Sequence, residues 1–529
     1  MNLKQQMQRL NEIGIALSSE RDLNRLLERI MTEARAFTHA DAGTLYLVQD
    51  ESRQLKMEIV QNETLGMRFG GISGGEIPWN PIVPLVGPDG SPNCTNVSAS
   101  VAISGKTVNI PDVYETEAFD FEGTRRADQA SGYRCKSMLV IAMRDHEDEI
   151  IGVLQLINAM DARRQVIPFS SAGEDLIASL ASQAAVAITN VRLIQEMEAL
   201  FEAFVKVMAT AIDEKAHYTR GHIERVAHLT MAISESISAT SEGPYADVHF
   251  SEEELNELRI AGWMHDVGKV TTPEWVVDKA NKLETVFDRV ELIRTRFGMI
   301  REQLKARAFE RKVALLEQGE GADAVCEVDT ELERQVRELD EELDFLIRVN
   351  TPEEFMKDEL LERLQQIGKK TYLEDGKAVP YLTEDELENL SIRKGSLTRD
   401  QIGIIRNHAA VTLKMLEHIP FTKKLKNVPR YAAAHHETLE GSGYPLGISG
   451  DQLPLQSRIL AVADVFEALS ARDRPYKKPK TLEETMRILG FMVKDGHLDP
   501  DLVDLLVKEK VYNKVPSIRE TLEAAEKQG

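Results

Sequence analysis

The chain has 529 residues, more than one hydrophobic core organises, so two or three domains are expected. Its formal net charge is −23. A surface that acidic repels nucleic acid polymers and anionic lipid and excludes both as partners, while a small phosphorylated ligand at a locally positive site stays compatible. Cys94, Cys135 and Cys326 form no Cys-x-x-Cys pair, which excludes a zinc finger and a disulfide framework.

The N-terminus "MNLKQQMQRLNEIG" has no apolar signal core, and no apolar run is read as approaching the roughly 18 residues of a membrane span. The expected location is the cytoplasm. Residues 1–35 read as helix: Leu10, Ile13 and Leu17, then Leu23, Leu26, Leu27 and Ile30, recur at helical spacing, and "SSERD" offers an N-cap between them. From about 42 to 158 the texture changes to strands. "GTLYLV" and "LKMEIVQ" alternate, and "SMLVIAMRDHEDEIIGVLQLINA" reads as two strands around a charged turn. Helix, strands, loop, strand pair and helix form an α+β sensory layout.

"SGKTVNIPDV", "SMLVIAM" and "GVLQLINA" resemble the later strands of a GAF domain, over about 1–190, with the domain itself assigned to 1–172. The resemblance implies a pocket for an unknown small ligand under a mobile loop, here "GGISGGEIPWNPIVPLVGPDGSPN". The Asn-Lys-x-x-Phe motif of cyclic-nucleotide GAF domains is absent. Cys94 and Cys135 are read as buried or idle thiols rather than chromophore anchors.

A long helix follows over 173–212. Ile177, Leu180, Ala184, Ile188, Val191, Ile194, Met197, Phe201, Phe204, Met208 and Ile212 step by three and four. Such a stripe suggests pairing with a second copy, a parallel homodimer through a connecting helix. Residues 213–529 read as an all-α domain, interrupted at about 287–395 by two charged helical patterns around "GEGADA". These are expected to form an antiparallel helical hairpin with solvated charge.

The chemistry starts at "WMHDVGK". His265 and Asp266 are adjacent on a stretch apolar enough to be buried, and a buried carboxylate beside an imidazole costs several kcal/mol unless paired or metal-bound. The dipeptide gains weight from His222 in "YTRGHIERV", His408 in "GIIRNHAAVTLKML", His435 and His436 in "YAAAHHE", and Asp464 in "ILAVADVFEAL". Imidazole and carboxylate without thiolate suit iron, manganese or zinc. Seven ligands exceed the needs of one ion with open positions, so two ions sharing a carboxylate fit better, with Asp266 as the candidate bridge.

"HDVGKVTTPEWVVDKANKL", "NHAAVTLKML", "HHETLEGSGYP" and "DRPYKK" resemble the HD phosphohydrolase superfamily, and within it the HD-GYP cyclic-dinucleotide phosphodiesterases. The resemblance implies that His222, His265, Asp266, His408, His435, His436 and Asp464 are metal ligands. It implies that Lys269 neutralises the reacting phosphate, that Arg474 and Lys477 contact substrate phosphate, and that Tyr444 shapes the adjoining loop. Some members carry a glutamate four residues before the first histidine and hold three metals. Here that position is Tyr218, so two divalent ions are expected, iron or manganese before zinc. Glu440 replaces the usual aspartate before the Gly-x-Gly-Tyr-Pro turn. The implied activity is hydrolysis of cyclic di-GMP, or a related cyclic dinucleotide, to the linear dinucleotide and onward to GMP, regulated by the GAF domain. The alternatives are a slow binding protein acting through partners such as diguanylate cyclase domains, and an HD enzyme for another nucleotide.

Overall fold

The structure is a computed structural model that describes residues 3–49, 53–215, 221–352, 355–471 and 480–526. It divides into two compact units, Met1–Phe201 and Glu202–Gly529.

The first unit opens with helices α1 (Leu3–Ser18) and α2 (Leu23–Thr38). The Asp22 side chain accepts the Arg25 N–H at 2.8 Å and caps α2 where "SSERD" placed a cap. Strands β1 (Ala40–Gln49), β2 (Gln54–Asn62), β3 (Met67–Phe69), β4 (Ile82–Pro84), β5 (Val108–Ile110), β6 (Met138–Arg144), β7 (Ile150–Met160) and β8 (Val166–Ile167) form one antiparallel sheet. Its order is β3-β2-β1-β7-β6-β5, with β4 beside β2 and β8 beside β7. Helices α3 (Val97–Ser104) and α4 (Glu122–Ser131) interrupt the strands.

Alternation along the strands decides the faces. Leu45, Leu47, Leu139, Ile141, Leu154 and Leu156 share a core with Leu27 and Ile30 of α2 and with Ile177, Leu180 and Ala184 of α5 (Ser171–Lys215). Tyr46, Met138, Val140 and Val153 point the other way, against Val97 and Val101 of α3. The α+β expectation holds.

Helix α5 corrects two expectations. It is the one described helix long and apolar enough to cross a membrane, although 44% of its most apolar stretch is buried, which a core helix also achieves. The expected stripe also splits. Ile177 to Val191 face the core of the first unit. The exposed apolar residues of α5 are Val186, Leu193, Ile194, Met197, Leu200, Phe204 and Val207; Ile194, Met197 and Phe204 belong to the expected stripe, and Met197, Leu200, Phe204 and Val207 follow Leu193 at alternating steps of four and three.

The second unit is built from α6 (His222–Ala239), α7 (Glu252–Met264), α8 (Glu274–Val277), α9 (Val290–Glu317), α10 (Ala322–Asn350), α11 (Asp358–Gly368), α12 (Glu384–Leu390), α13 (Arg399–Glu417), α14 (Val428–Ala433), α15 (Leu455–Ser470), α16 (Leu482–Lys494), α17 (Pro500–Lys508) and α18 (Pro516–Glu526). Val226, Leu229 and Ile233 of α6 meet Ile459, Val462 and Phe466 of α15, and Leu489, Leu502 and Ile518 close the same core. The interruption has its own core, centred on Phe297, Phe345, Leu346, Leu364 and Leu390. Helices α9 and α10 are the expected antiparallel hairpin: Arg301 pairs with Asp340 near its base and Lys312 with Asp329 towards its tip. The segment also contains a β-hairpin, β9 (Thr371–Glu374) and β10 (Lys377–Pro380), that the charge pattern hid. Its turn is Asp375-Gly376, both with positive φ, the dipeptide that two-residue hairpins favour. The solvated-charge expectation fails locally at Arg296 of α9, which donates to buried Glu386 of α12 at 2.7 Å, and at Glu342 of α10, which is buried.

Candidate metal centre

Four helices and two short turns carry the polar cluster. His222 is the first residue of α6, and His265 and Asp266 follow the last turn of α7. Lys269 lies in the 3₁₀ turn Val267–Thr271. His408 is in α13, His435 and His436 are in the turn Ala434–His436 after α14, and Asp464 is mid-way along α15. The structure brings all seven expected ligands together. Arg474, Lys477 and Tyr218 lie outside the described residues.

The close approach of α13 to the His-Asp turn depends on a glycine. A Cβ on Gly268 would lie 2.0 Å from the His408 carbonyl oxygen. Thr412 staples the two segments: its Oγ1 accepts Gly268 N–H at 3.0 Å and donates to the His265 carbonyl at 3.1 Å.

Three imidazoles are held by the same device. The Nδ1 of His265 lies 2.8 Å from the Gly262 carbonyl, that of His408 2.5 Å from Ile405, and that of His435 2.5 Å from Ala432. A carbonyl can only accept, so each Nδ1 carries the proton and each Nε2 presents a lone pair. Those three Nε2 atoms and Asp266 Oδ1 are buried and have no hydrogen-bond partner among the described residues. Groups so desolvated usually find partners.

The two oxygens of Asp266 face different imidazoles. Oδ2 lies 3.2 Å from His265 Nε2 and 3.5 Å from His222 Nε2, while Oδ1 lies 3.3 Å from His408 Nε2 and 3.9 Å from His435 Nε2. Asp464 Oδ1 stands on the first side, 3.2 Å from His222 Nε2 and 3.9 Å from His265 Nε2. The ring of His436 stands on the second, 5.1 Å from that of His408. Donor atoms of His222, His265 and Asp266, and separately of His408, His435 and His436, all lie within 4.8 Å of one another. Each set could hold a divalent cation, and the donors fit one: neutral imidazole lone pairs and carboxylate oxygens, oriented from behind.

The electrostatics agree except at His222, where burial opposes charge but Glu467, Asp266 and Asp464 raise the pKa and favour the protonated ring as long as no cation takes its Nε2. Burial opposes charge on Asp266, yet Lys269 and the imidazoles hold its carboxyl well below the usual range. Asp464 is likewise lowered, against its burial, by His222 and its neighbours. Burial lowers His435 strongly and His436 to about 4, so both rings are neutral at pH 7. Burial opposes charge on Lys269, but Asp266, 2.6 Å away, raises its pKa and keeps the ammonium charged.

Several contributors escaped the sequence reading. Glu467, one turn beyond Asp464 on α15, is buried, hydrogen-bonds His222 Nδ1, and accepts Arg225 Nε at 2.6 Å. A second acid three residues on in an apolar helix was the available signal. Buried Glu437 gathers the loop beside the site, accepting the N–H groups of Leu446, Gly447 and Ile448 at 2.6, 3.1 and 3.2 Å. Tyr444 is placed next to the cluster, its ring 4.8 Å from that of His436. The two glycines of the Gly-x-Gly-Tyr-Pro turn serve different needs: Gly441 has φ +75°, whereas Gly443 does not adopt positive φ. Gly443 is needed instead because a Cβ there would meet Glu437 Cα at 2.4 Å.

Residues 22–188 match the GAF domain family, residues 219–343 the HD domain family, and residues 383–502 a second HD domain family. Among curated proteins, the chain is 37% identical over 128 residues to a probable cyclic di-GMP phosphodiesterase of Vibrio cholerae, covering 23% of this chain and 29% of the relative. It is 36% identical over 121 residues to a 3'3'-cGAMP-specific phosphodiesterase 1 of the same organism, covering 23% and 27%. It is 34% identical over 122 residues to a cyclic di-GMP phosphodiesterase of Thermotoga maritima, covering 23% and 32%. The chain thus spans less than a third of the length of each of these relatives. Among solved structures it is similar to the GAF domain of an Acinetobacter phosphoenolpyruvate-protein phosphotransferase, at 16% identity and a TM-score of 0.27, covering 37% of this chain and 99% of that one.

Proposed function

From a chain that carries a GAF domain followed by an HD domain, we propose a metal-dependent phosphodiesterase that hydrolyses cyclic di-GMP, or the related cyclic GMP-AMP, to the linear dinucleotide. The observation that carries this is Asp266: a buried carboxylate whose two oxygens face separate sets of imidazoles, with the Nε2 atoms of His265 on one side and of His408 and His435 on the other left without a hydrogen-bond partner among the described residues. His222, His265 and Asp464 with Asp266 Oδ2 would hold one divalent ion, and His408, His435 and His436 with Asp266 Oδ1 a second. Manganese or iron suits these donors before zinc. When bound, such ions supply a hydroxide nucleophile at neutral pH and polarise the phosphoryl oxygens.

The chain's own residues do the remaining work. Carbonyl-anchored imidazoles keep the donor atoms in fixed orientation, so little reorganisation is needed during reaction. Lys269 is cationic and at the metal centre, and its N–H groups offset the charge that grows on the phosphoryl oxygens. Glu467 fixes the ring of His222. Arg474 and Lys477 are proposed phosphate contacts on resemblance alone.

The test is hydrolysis of cyclic di-GMP by protein purified without oxygen and loaded with Mn²⁺ or Fe²⁺, against Asp266→Ala. Turnover present in the native chain and lost in the variant supports the reading. No turnover with two metals per chain confirmed by elemental analysis overturns it for this substrate.

The same reading places the chain in the cytoplasm, with a small ligand at the GAF domain and a diguanylate cyclase domain as a candidate partner. It also pairs two copies through the exposed stripe of α5, where Leu200 is 71% and Phe204 58% exposed. Apolar residues at this spacing form a coiled-coil seam. Leu200→Glu is expected to convert a sedimenting dimer to monomer; an unchanged sedimentation coefficient sinks the pairing.

A further inference from the structure

Arg406 lies on α13, two residues before His408, and is exposed. Its Cζ sits over the ring of Tyr444, 5.3 Å from the centroid. Tyr444 in turn lies against His436, the rings tilted by 33°. Three flat groups therefore lead outward from the metal centre: imidazole, phenol, guanidinium. Tyr444 is confined between its neighbours, and burial pushes its hydroxyl up to about 12, so it stays a neutral ring at any working pH.

Arg406 differs from the other described cations at the centre. Lys269 is tied to Asp266 at 2.6 Å and Arg225 to Glu467 at 2.6 Å. Arg406 has no carboxylate and no hydrogen-bond acceptor among the described residues; it rests against the ring alone. On a chain of net charge −23, an arginine held in place yet unpaired beside a metal centre is notable for what it leaves open. A guanidinium over an aromatic face keeps its coplanar N–H donors directed sideways, a fork that matches two adjacent acceptors. Guanine presents two such acceptors, O6 and N7, on one edge. Adenine offers N7 beside an N6–H₂ donor, which repels the fork.

We propose that Arg406, steadied by Tyr444, is a specificity-determining residue that binds the O6/N7 edge of a guanine in the substrate. The inference rests on the phosphodiesterase reading and deepens it by naming the base. The experiment measures cyclic di-GMP hydrolysis by the metal-loaded full chain, with cyclic di-AMP as a competitive inhibitor, for the native protein, Arg406→Ala and Arg406→Lys. Metal content is followed throughout.

Arg406→Ala is expected to raise KM for cyclic di-GMP about ten- to a hundredfold, as loss of one bidentate base contact does. The inhibition constant of cyclic di-AMP should move less than about threefold on the same scale, with metal content unchanged. Arg406→Lys, which keeps the charge and can still donate to O6 and N7 but without the planar fork, should recover only part of the loss, and for cyclic di-GMP alone. Equal weakening of both dinucleotides, with recovery in Arg406→Lys, would mean a phosphate contact and overturn the base assignment. An unchanged KM, or lost metal, overturns it as well. If the native protein does not turn over cyclic di-GMP, the phosphodiesterase reading itself has failed, a result distinct from any of these.

Discussion

The two units differ in how their buried polar side chains are arranged. In the first, unpartnered buried atoms are found on Arg35, Asp41, Asn109 and Gln183, and other buried groups are fully bonded. Asn158 accepts the N–H of Lys136 at 2.7 Å and of Ser137 at 3.2 Å, and donates to Tyr133 Oη at 2.9 Å and the Arg134 carbonyl at 2.8 Å. Asp128 accepts Tyr114 Oη and the Cys135 N–H, both at 2.8 Å. In the second unit, four buried atoms of four residues converge without partners: His265 Nε2, His408 Nε2, His435 Nε2 and Asp266 Oδ1. Each unsatisfied buried polar atom costs about 1–3 kcal/mol. A saturated network stabilises a fold, whereas a convergent set of withheld lone pairs is stable only if something else binds them. The contrast separates buried polarity that serves structure from buried polarity that serves chemistry.

The contrast can be tested from its strongest side downward. Asp266→Ala removes the shared carboxylate, and cyclic di-GMP turnover is expected to fall to the uncatalysed background while elemental analysis shows loss of bound metal. Retention of both would leave the convergence without a purpose. Metal removal comes next: a chelator should lower the melting temperature of the second unit by relieving it of the ligand that offsets its unpartnered atoms, and leave that of the first unchanged. Two transitions that shift together, or neither shifting, would erase the distinction.

Glu467→Gln keeps the shape behind His222 but weakens the charge on its Nδ1. About a 10- to 100-fold loss of metal affinity or activity is expected, with the circular dichroism spectrum intact. Metal titration reads this directly, and an unaltered affinity would reduce Glu467 to a structural ion-pair partner of Arg225. The smallest functional effect should come from Asn158→Ala. It leaves several buried groups of the first unit unsatisfied, at about 2 kcal/mol of stability, while metal content stays the same. Chemical denaturation and elemental analysis check the two halves of that statement.

Much of this was legible in the chain. Alternation marked β1 and β2, and the apolar runs around a charged turn marked β6 and β7, because a sheet covered on both faces still sends successive side chains to opposite cores. Helical spacing marked α5, and the seven expected ligands stood out as ionisable groups at helix starts or in apolar helices. Other features were not legible for identifiable reasons. The stripe of α5 split because only the sheet decides which helix face is covered. Asp375-Gly376 was overlooked amid charged helical patterns, although it is a hairpin signal. Glu467 acts through His222, 245 residues away, and Thr412 through Gly268, 144 residues away.

Residue type and local period determined the main strands, the long helices and the chemistry their donors could support, since these depend on neighbours within a turn or two. Tertiary structure alone decided which oxygen of Asp266 faces which imidazoles, why Gly268 and Gly443 must lack a Cβ, and that Arg406 stands over Tyr444. Those are contacts between segments far apart in the chain, set by how helices close on one another, and no local period encodes that distance.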